Sequence, residues 1–316
     1  MKLIKFPQYF SYWTFDPFLD QVQALLPSLK SAPDDVLFDF SATEHVSELG
    51  LLLIAQTADN FRDLKCHCTV MYIADKEKNS AWLLQIMHLI KGDKQSQEVE
   101  AYLDSFRVPI QRCYQEKDIY EALNKKLIPV IRKEFNPSAS IVKAINWVLW
   151  EAIGNSIVHG YSLRNYSGVF PYPIYFCAMS YEKYIRIAIL DLGQGIHTSL
   201  TSSGVEAYKN ITNDEALGLA IQNGVSGNPD GSPGFGLYGS AEIARQSGGE
   251  LVIISEKSKL ILKEGELKIE PSSYYQGTLV QLQLPSSLNI DLTKIFGKDA
   301  LIATEDIDTL TGNFDD

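Results

Sequence analysis

The stretch Asn146–Tyr161, NWVLWEAIGNSIVHGY, decides how the chain is read. Glu151, Asn155 and His159 follow one another at intervals of four residues. A helix turns once in about 3.6 residues, so this spacing predicts three polar side chains stacked along one helix face. Trp147, Val148, Trp150, Ile153, Ile157 and Val158 supply apolar faces around them. A polar stripe is costly to bury unless it binds something. Alone, the helix therefore has two readings: a stripe that faces solvent, or one wall of a ligand site.

Downstream, Pro173–Met179 and Tyr184–Leu190 read as strands, and the second runs into Asp191-Leu192-Gly193-Gln194-Gly195-Ile196. An acidic residue followed by two spaced glycines suits a backbone that must approach a flat ligand closely, with the carboxylate accepting from an exocyclic amine. A tight turn capped by Asp is the plainer alternative. Thr198–Pro233 is polar and long for a loop, which is the pattern of a lid or of a disordered stretch, with one short helix expected at Asp214–Asn223. It closes on Gly231–Gly239, which includes Gly234, Gly236 and Leu237 and feeds a helix expected at Ser240–Gln246. Glycines leading into a helix N-terminus can cradle phosphate. Leu251–Ser255, Leu260–Lys263 and Gly277–Leu284 read as closing strands, the last opened by Gly277-Thr278.

Upstream, strand patterns at residues 2–6, Val36–Ser41 and Thr69–Ala74 alternate with helical patterns at Phe15–Lys30, Glu48–Leu64 and Ser80–Ile90. That alternation predicts a small α/β layer domain. The polar run Gly92–Gln97 is the candidate start of a connection. It leads to a strand at Phe106–Cys113, a charged amphipathic helix at Glu116–Phe135, and a break at Asn136-Pro137-Ser138. Ser286–Asp316 reads as an acidic, loosely packed tail.

The chain has 316 residues, enough for about two domains. Its formal net charge of −11 argues against a general phosphate-backbone binder, so no nucleic-acid partner is expected. The segment MKLIKFPQYF lacks a signal core, and the apolar run near Leu49–Ala55 falls far short of the ~20 residues of a membrane helix. A cytoplasmic protein that makes no use of a membrane is the expectation. The four cysteines, Cys66, Cys68, Cys113 and Cys177, form neither a CxxC pair nor a disulfide ladder. Alternation puts His67 across a strand from Cys66 and Cys68, so a buried, reduced strand is favoured over a metal site. His88 lies in an apolar helical pattern and reads as a packing residue.

Glu151/Asn155, Asp191/Gly193/Gly195, Gly234/Gly236 and Gly277-Thr278, in that order, resemble the motifs of the GHKL ATPase superfamily, which includes gyrase, histidine kinases and mismatch-repair ATPases. EAIGNSIVHGY is most similar to the anti-sigma-factor serine kinases. The resemblance implies that ATP and Mg²⁺ are the cofactors, with Asn155 on the metal, Glu151 as general base and His159 near the phosphates. It further implies that Asp191 reads the adenine amine, Gly193 and Gly195 close on the base, Gly234, Gly236 and Leu237 hold phosphate, and Gly277 and Thr278 complete the adenine pocket. Tyr238-Gly239 departs from the family's usual Gly-Leu-Gly-Leu, which bears on lid closure. Asp39-Phe40-Ser41 and Gly50-Leu51 resemble the STAS domain of anti-anti-sigma factors, with Glu48 where that family carries its phosphoacceptor serine. Glu48 reads either as a standing negative charge at a helix N-terminus or as an ordinary first-turn residue.

The fold class expected is therefore α/β in two domains: a STAS-like layer at 1–95 and a GHKL sandwich, with a mixed sheet covered by helices, at 136–285. Residues 96–135 would join the ATPase part, and 286–316 would form the tail. The implied partners are a nucleotide, a STAS-like or sigma-type regulatory protein, and a second copy of the chain as a homodimer. The implied activity is phosphoryl transfer from ATP, either to a protein Ser/Thr or, in a slow ATP-gated switch, to water.

Overall fold

A computed structural model describes residues 1–72, 83, 86, 87, 90, 108–136, 141, 142, 145, 146, 149, 150, 153, 172–227, 235–285, 290, 291, 293 and 295. Its first layer is a parallel sheet of β1 (Lys2–Lys5), β3 (Val36–Asp39) and β5 (Cys68–Met71), in that order. Parallel neighbours need crossovers, supplied here by α1 (Phe15–Ser31) and α2 (Glu48–Asp63). A parallel pairing of β2 (Tyr9–Phe10) with β4 (His45–Val46), which the sequence did not announce, ties down the chain ahead of each helix.

The second sheet has the order β6-β7-β8-β10-β9: β6 (Val108–Cys113), β7 (Ile174–Ser180), β8 (Tyr184–Leu190), β9 (Glu250–Lys263) and β10 (Glu266–Pro285). A mixed sheet was expected, but among the described residues every pairing in this sheet is antiparallel. The connections leave little choice. Three residues join β7 to β8, and Glu264 and Gly265 join β9 to β10. Both turn residues have positive φ, 53° and 83°, as a two-residue primed hairpin turn requires.

Alternation along β8 divides the sheet's two faces. Ala188 and Leu190 join a core with Tyr175, Cys177, Val252, Ile254, Leu279 and the buried residues of α1 and α2. Ile185, Ile187 and Ile189 point the other way, into a second core. That core also takes in the helical stretch α3 (Glu116–Tyr120), a π-helical segment Glu121–Leu127 and α4 (Ile128–Phe135). Helical residues Val142, Ile145, Leu149 and Ile153 line the same core, four residues or fewer apart, and place part of the opening helix against the sheet. Ile290 and Ile295, within the expected loose tail, are buried there too.

Helix α2 explains how the layers join. Ser47 caps it by accepting from the Gly50 N–H at 3.2 Å. Every residue from Glu48 to Ala58 is buried. α2 lies between the parallel sheet and β7–β8, so it has no solvent face over three turns. Glu48 is buried completely. Its carboxylate accepts from the Tyr181 hydroxyl and faces the Arg186 guanidinium at 3.8 Å. The Arg186 side chain in turn stacks over the rings of Tyr181 and Tyr184 and donates to Gln283 at 2.9 Å. The first-turn position of Glu48 holds, but its partners are across the layer interface rather than in solvent.

Among the described residues no helix is long and apolar enough to cross a membrane. The segment Cys66-His67-Cys68 buries both thiols and exposes His67. His88 and the helix expected at Ser80–Ile90 lie largely outside the described residues; Leu83, Ile86 and Ile90 are buried.

Two measurements check this packing. Arg186→Met leaves the Glu48 carboxylate buried without its cation and is expected to cost about 1–3 kcal/mol in urea unfolding. Adding Glu48→Gln should restore most of that loss. All four cysteines are free and buried, and burial pushes Cys68 up to about 11, Cys113 up to about 12, and Cys177 well above the usual thiol range. At pH 8 a thiol reagent should therefore label none of them in the native chain and all of them in guanidinium.

Candidate functional site at the end of β8 and β10

Register places Asp191 opposite Thr278. Leu190 pairs with Leu279, and one step on, Asp191 N–H donates to the Thr278 carbonyl at 2.9 Å. The Asp191 carboxylate, 3% exposed as a residue, receives two backbone donors on one oxygen: Gly193 N–H at 2.8 Å and Thr278 N–H at 3.2 Å. Tyr275 donates its hydroxyl to the Asp191 carbonyl at 2.9 Å. The turn is therefore held by side chain and main chain together.

Two glycines in this turn are required by geometry. Gly277 has φ +100°, and a Cβ there would stand 2.2 Å from the Asp191 carbonyl oxygen. Gly195 has φ +86°, and a Cβ would stand 2.6 Å from Cγ of Glu256. Both conformations are open to glycine and strained for other residues. Gly195 also caps α5 (Ile196–Thr201).

The sequence did not single out the residues that brace this turn from β9. Ser255 accepts from Ile196 N–H at 2.9 Å, donates to the Gly277 carbonyl at 2.8 Å and lies 3.3 Å from the Thr278 hydroxyl. Glu256, itself at φ 52°, accepts from Thr198 N–H at 3.0 Å and from the Thr198 hydroxyl at 2.7 Å. A carboxylate there meets the first turn of α5, where free N–H groups and the helix dipole favour negative charge. The available signal was the polar stretch from Ser255 to Lys259 in the run LVIISEKSKLILK, where the pattern predicts two strands, Leu251–Ser255 and Leu260–Lys263. It is one strand with a left-handed residue inside it. The stretch Glu266–Gln276 likewise belongs to β10, where bulges between Pro271, Tyr275 and Thr278 break the alternation.

The described part of the long polar segment after Gly195 carries more helix than the one short stretch expected. α5 is followed by a short turn of 3-10 helix, Glu206–Tyr208, and by α6 (Asn213–Ala220). Thr212 and Glu215 form a reciprocal capping box that starts α6, and Ala216 and Leu217 bury its inner side. The glycine run meets its helix earlier than expected: α7 spans Phe235–Ser247, so Gly236 and Leu237 lie in its first turn instead of the loop before it. The Ser240 hydroxyl donates to the Gly236 carbonyl at 2.9 Å. The first-turn N–H groups of a helix have no partner within the helix itself, which is the feature a phosphate-binding helix start uses.

Asp191, Gly193, Gly195, Gly277 and Thr278 are thus gathered into one cluster, while Gly236 and Leu237 open a neighbouring helix that packs on the same sheet face. Glu151, Asn155, His159 and Gly234 lie outside the described residues. Among the described residues no group of three or more His, Cys, Asp and Glu side chains is arranged to hold a metal ion, and the expected Mg²⁺ ligand, Asn155, is not one of them. No protein-family model matches the chain, and no curated protein matches it.

Gly277→Ala tests the geometry. Strain alone is expected to cost about 1–3 kcal/mol, and the overlap with the Asp191 carbonyl adds to it. Gly265→Ala, also at positive φ but with open space around it, should cost less in the same thermal unfolding measurement.

Proposed function

We propose that the chain binds ATP–Mg²⁺ in a GHKL-type site and acts as a regulatory serine/threonine kinase of anti-sigma-factor type. On this reading a STAS-like layer is fused to the ATPase sandwich. The observation that carries it is the buried Asp191 carboxylate set opposite Thr278, between two glycines whose Cβ positions are filled by neighbouring atoms. A carboxylate acceptor held at a glycine-rich strand end fits an amino-substituted base such as adenine. In this assignment Gly193 and Gly195 shape the base edge, and Gly236, Leu237 and Gly234 offer N–H groups to phosphate. Asn155 supplies an oxygen to the metal, whose charge would stabilise the transferring phosphoryl group. Glu151, one turn from Asn155 in the sequence, would take the proton of the attacking hydroxyl or water, with His159 beside the phosphates.

A second reading, an ATP-gated switch with slow hydrolysis and no protein phosphorylation, draws on the shared core. The ring of Tyr275 belongs to the core formed with α1 and α2, while its hydroxyl holds Asp191. A change at the nucleotide is then felt by the first layer. Glu48, at the position of the STAS phosphoacceptor, is buried and carries no hydroxyl, so any acceptor lies elsewhere.

Calorimetry separates these roles. Asp191→Asn should cut ATP affinity by at least about tenfold, the size of one charge-assisted hydrogen bond; unchanged affinity would refute the adenine assignment. Glu151→Ala should retain ATP binding and lose phosphate release. With γ-labelled ATP and cell extract, a labelled protein supports the kinase, and free phosphate alone supports the switch.

A further inference from the structure

We infer that Ser255 is a positioning residue that fixes the Thr278 hydroxyl as a hydrogen-bond acceptor, making the site selective for a base with an exocyclic amine. The inference rests on the nucleotide reading above and adds to it a residue that the motifs do not contain.

A serine hydroxyl has one hydrogen to give and two lone pairs with which to accept. The buried Ser255 gives its hydrogen to the Gly277 carbonyl at 2.8 Å and accepts from Ile196 N–H at 2.9 Å. Its remaining lone pair faces the Thr278 hydroxyl at 3.3 Å. With the serine proton committed, Thr278 is the donor in that contact. The hydroxyl of the half-buried Thr278 then has only lone pairs left to offer a further partner.

Asp191 stands directly opposite across the β8–β10 pairing and, when ionised, also only accepts. Two neighbouring acceptors match the two hydrogens of an exocyclic NH₂ group. A carbonyl in the same place, as in a 6-oxopurine, would meet lone pairs from both sides. Asp191 supplies half of this discrimination by its charge. Thr278 supplies the other half only while Ser255 holds its proton, since a free threonine hydroxyl can rotate and donate.

The test compares ATP with inosine triphosphate, each with Mg²⁺, by calorimetry on the full chain. The wild type should prefer ATP. In Ser255→Ala the Thr278 proton is released, and the preference should shrink about tenfold through tighter binding of inosine triphosphate. Thr278→Val, which keeps the shape and removes the hydroxyl, should shrink it through weaker binding of ATP. Ser255→Thr retains the proton and should keep the wild-type ratio. An unchanged ratio in Ser255→Ala, or equal weakening of both nucleotides, overturns the assignment and leaves Ser255 a structural brace. Should Ser255→Ala not fold, an unchanged ratio in Thr278→Val overturns it equally. A wild-type chain that binds neither nucleotide sinks the nucleotide reading itself, whereas one that binds ATP with ratios insensitive to these changes sinks only the role of Ser255.

Discussion

Helix α2 is the element on which the rest of the structure depends, because both of its long faces are buried. A helix apolar on all sides can exist in water only if something covers it all round. Here the parallel sheet covers one side and the antiparallel sheet the other. The parallel layer therefore cannot be lifted off without exposing Leu49, Leu52 and Leu53 together with Ala188 and Leu190. Burial of that area is worth roughly 25 cal/mol for each apolar Å², so separation would be opposed strongly. The one charged residue in the buried run, Glu48, is accommodated by Arg186 and Tyr181, which come from the sheet opposite. A buried pair of this kind is weak as a source of stability but selective, since it is satisfied in only one docking of helix on sheet.

The candidate site inherits its geometry from the same sheet. The pairing of β8 with β10 that continues the Ala188 and Leu190 face also sets Asp191 against Thr278 on the opposite face. A one-residue slip of either strand would send its side chain to the wrong face and part the pair. Tyr275 spans the two environments, its ring in the α1–α2 core and its hydroxyl on the Asp191 carbonyl. From α1, Asp16 accepts from Ser273 N–H at 2.7 Å and from the Ser272 hydroxyl at 2.9 Å. The irregular middle of β10 is thereby fastened to the first layer at the point where it turns toward the site.

Much of this was legible in the chain, and the reasons for the rest are local. Periodicity marked α1, α2, β7 and β8 closely, because each has a regular apolar repeat that one or two packing faces explain. Asp191, Gly193, Gly195, Gly277 and Thr278 were brought together by an order of motifs that resembles the GHKL pattern, and the positive φ of Gly195 and Gly277 explains two of the glycines. Three features were hidden. Burial of α2 on both sides could not be told from burial on one, since leucine suits either. The antiparallel order of the second sheet depends on turns whose residues, such as Glu264-Gly265, look ordinary until paired. The strands β9 and β10 looked broken because polar residues interrupt their alternation at 255–259 and 271–276.

Those interruptions mark where the strands are tied to their surroundings. A buried polar side chain survives only with a partner, and each one in the middle of β9 has its own. Ser255 braces the turn at Gly277, Glu256 caps α5, Ser258 donates to Asp214 at the start of α6, and Lys259 reaches the Tyr12 carbonyl at 3.3 Å and Glu270 at 3.0 Å. The side chains alternate in direction, so Ser258 serves the helices on the site face while Lys259 serves the first layer. An apolar residue at any of these places would keep the strand and lose a tether. The break in the hydrophobic pattern that obscured β9 is therefore the price of holding two helices, a turn and the first layer at fixed positions around one strand.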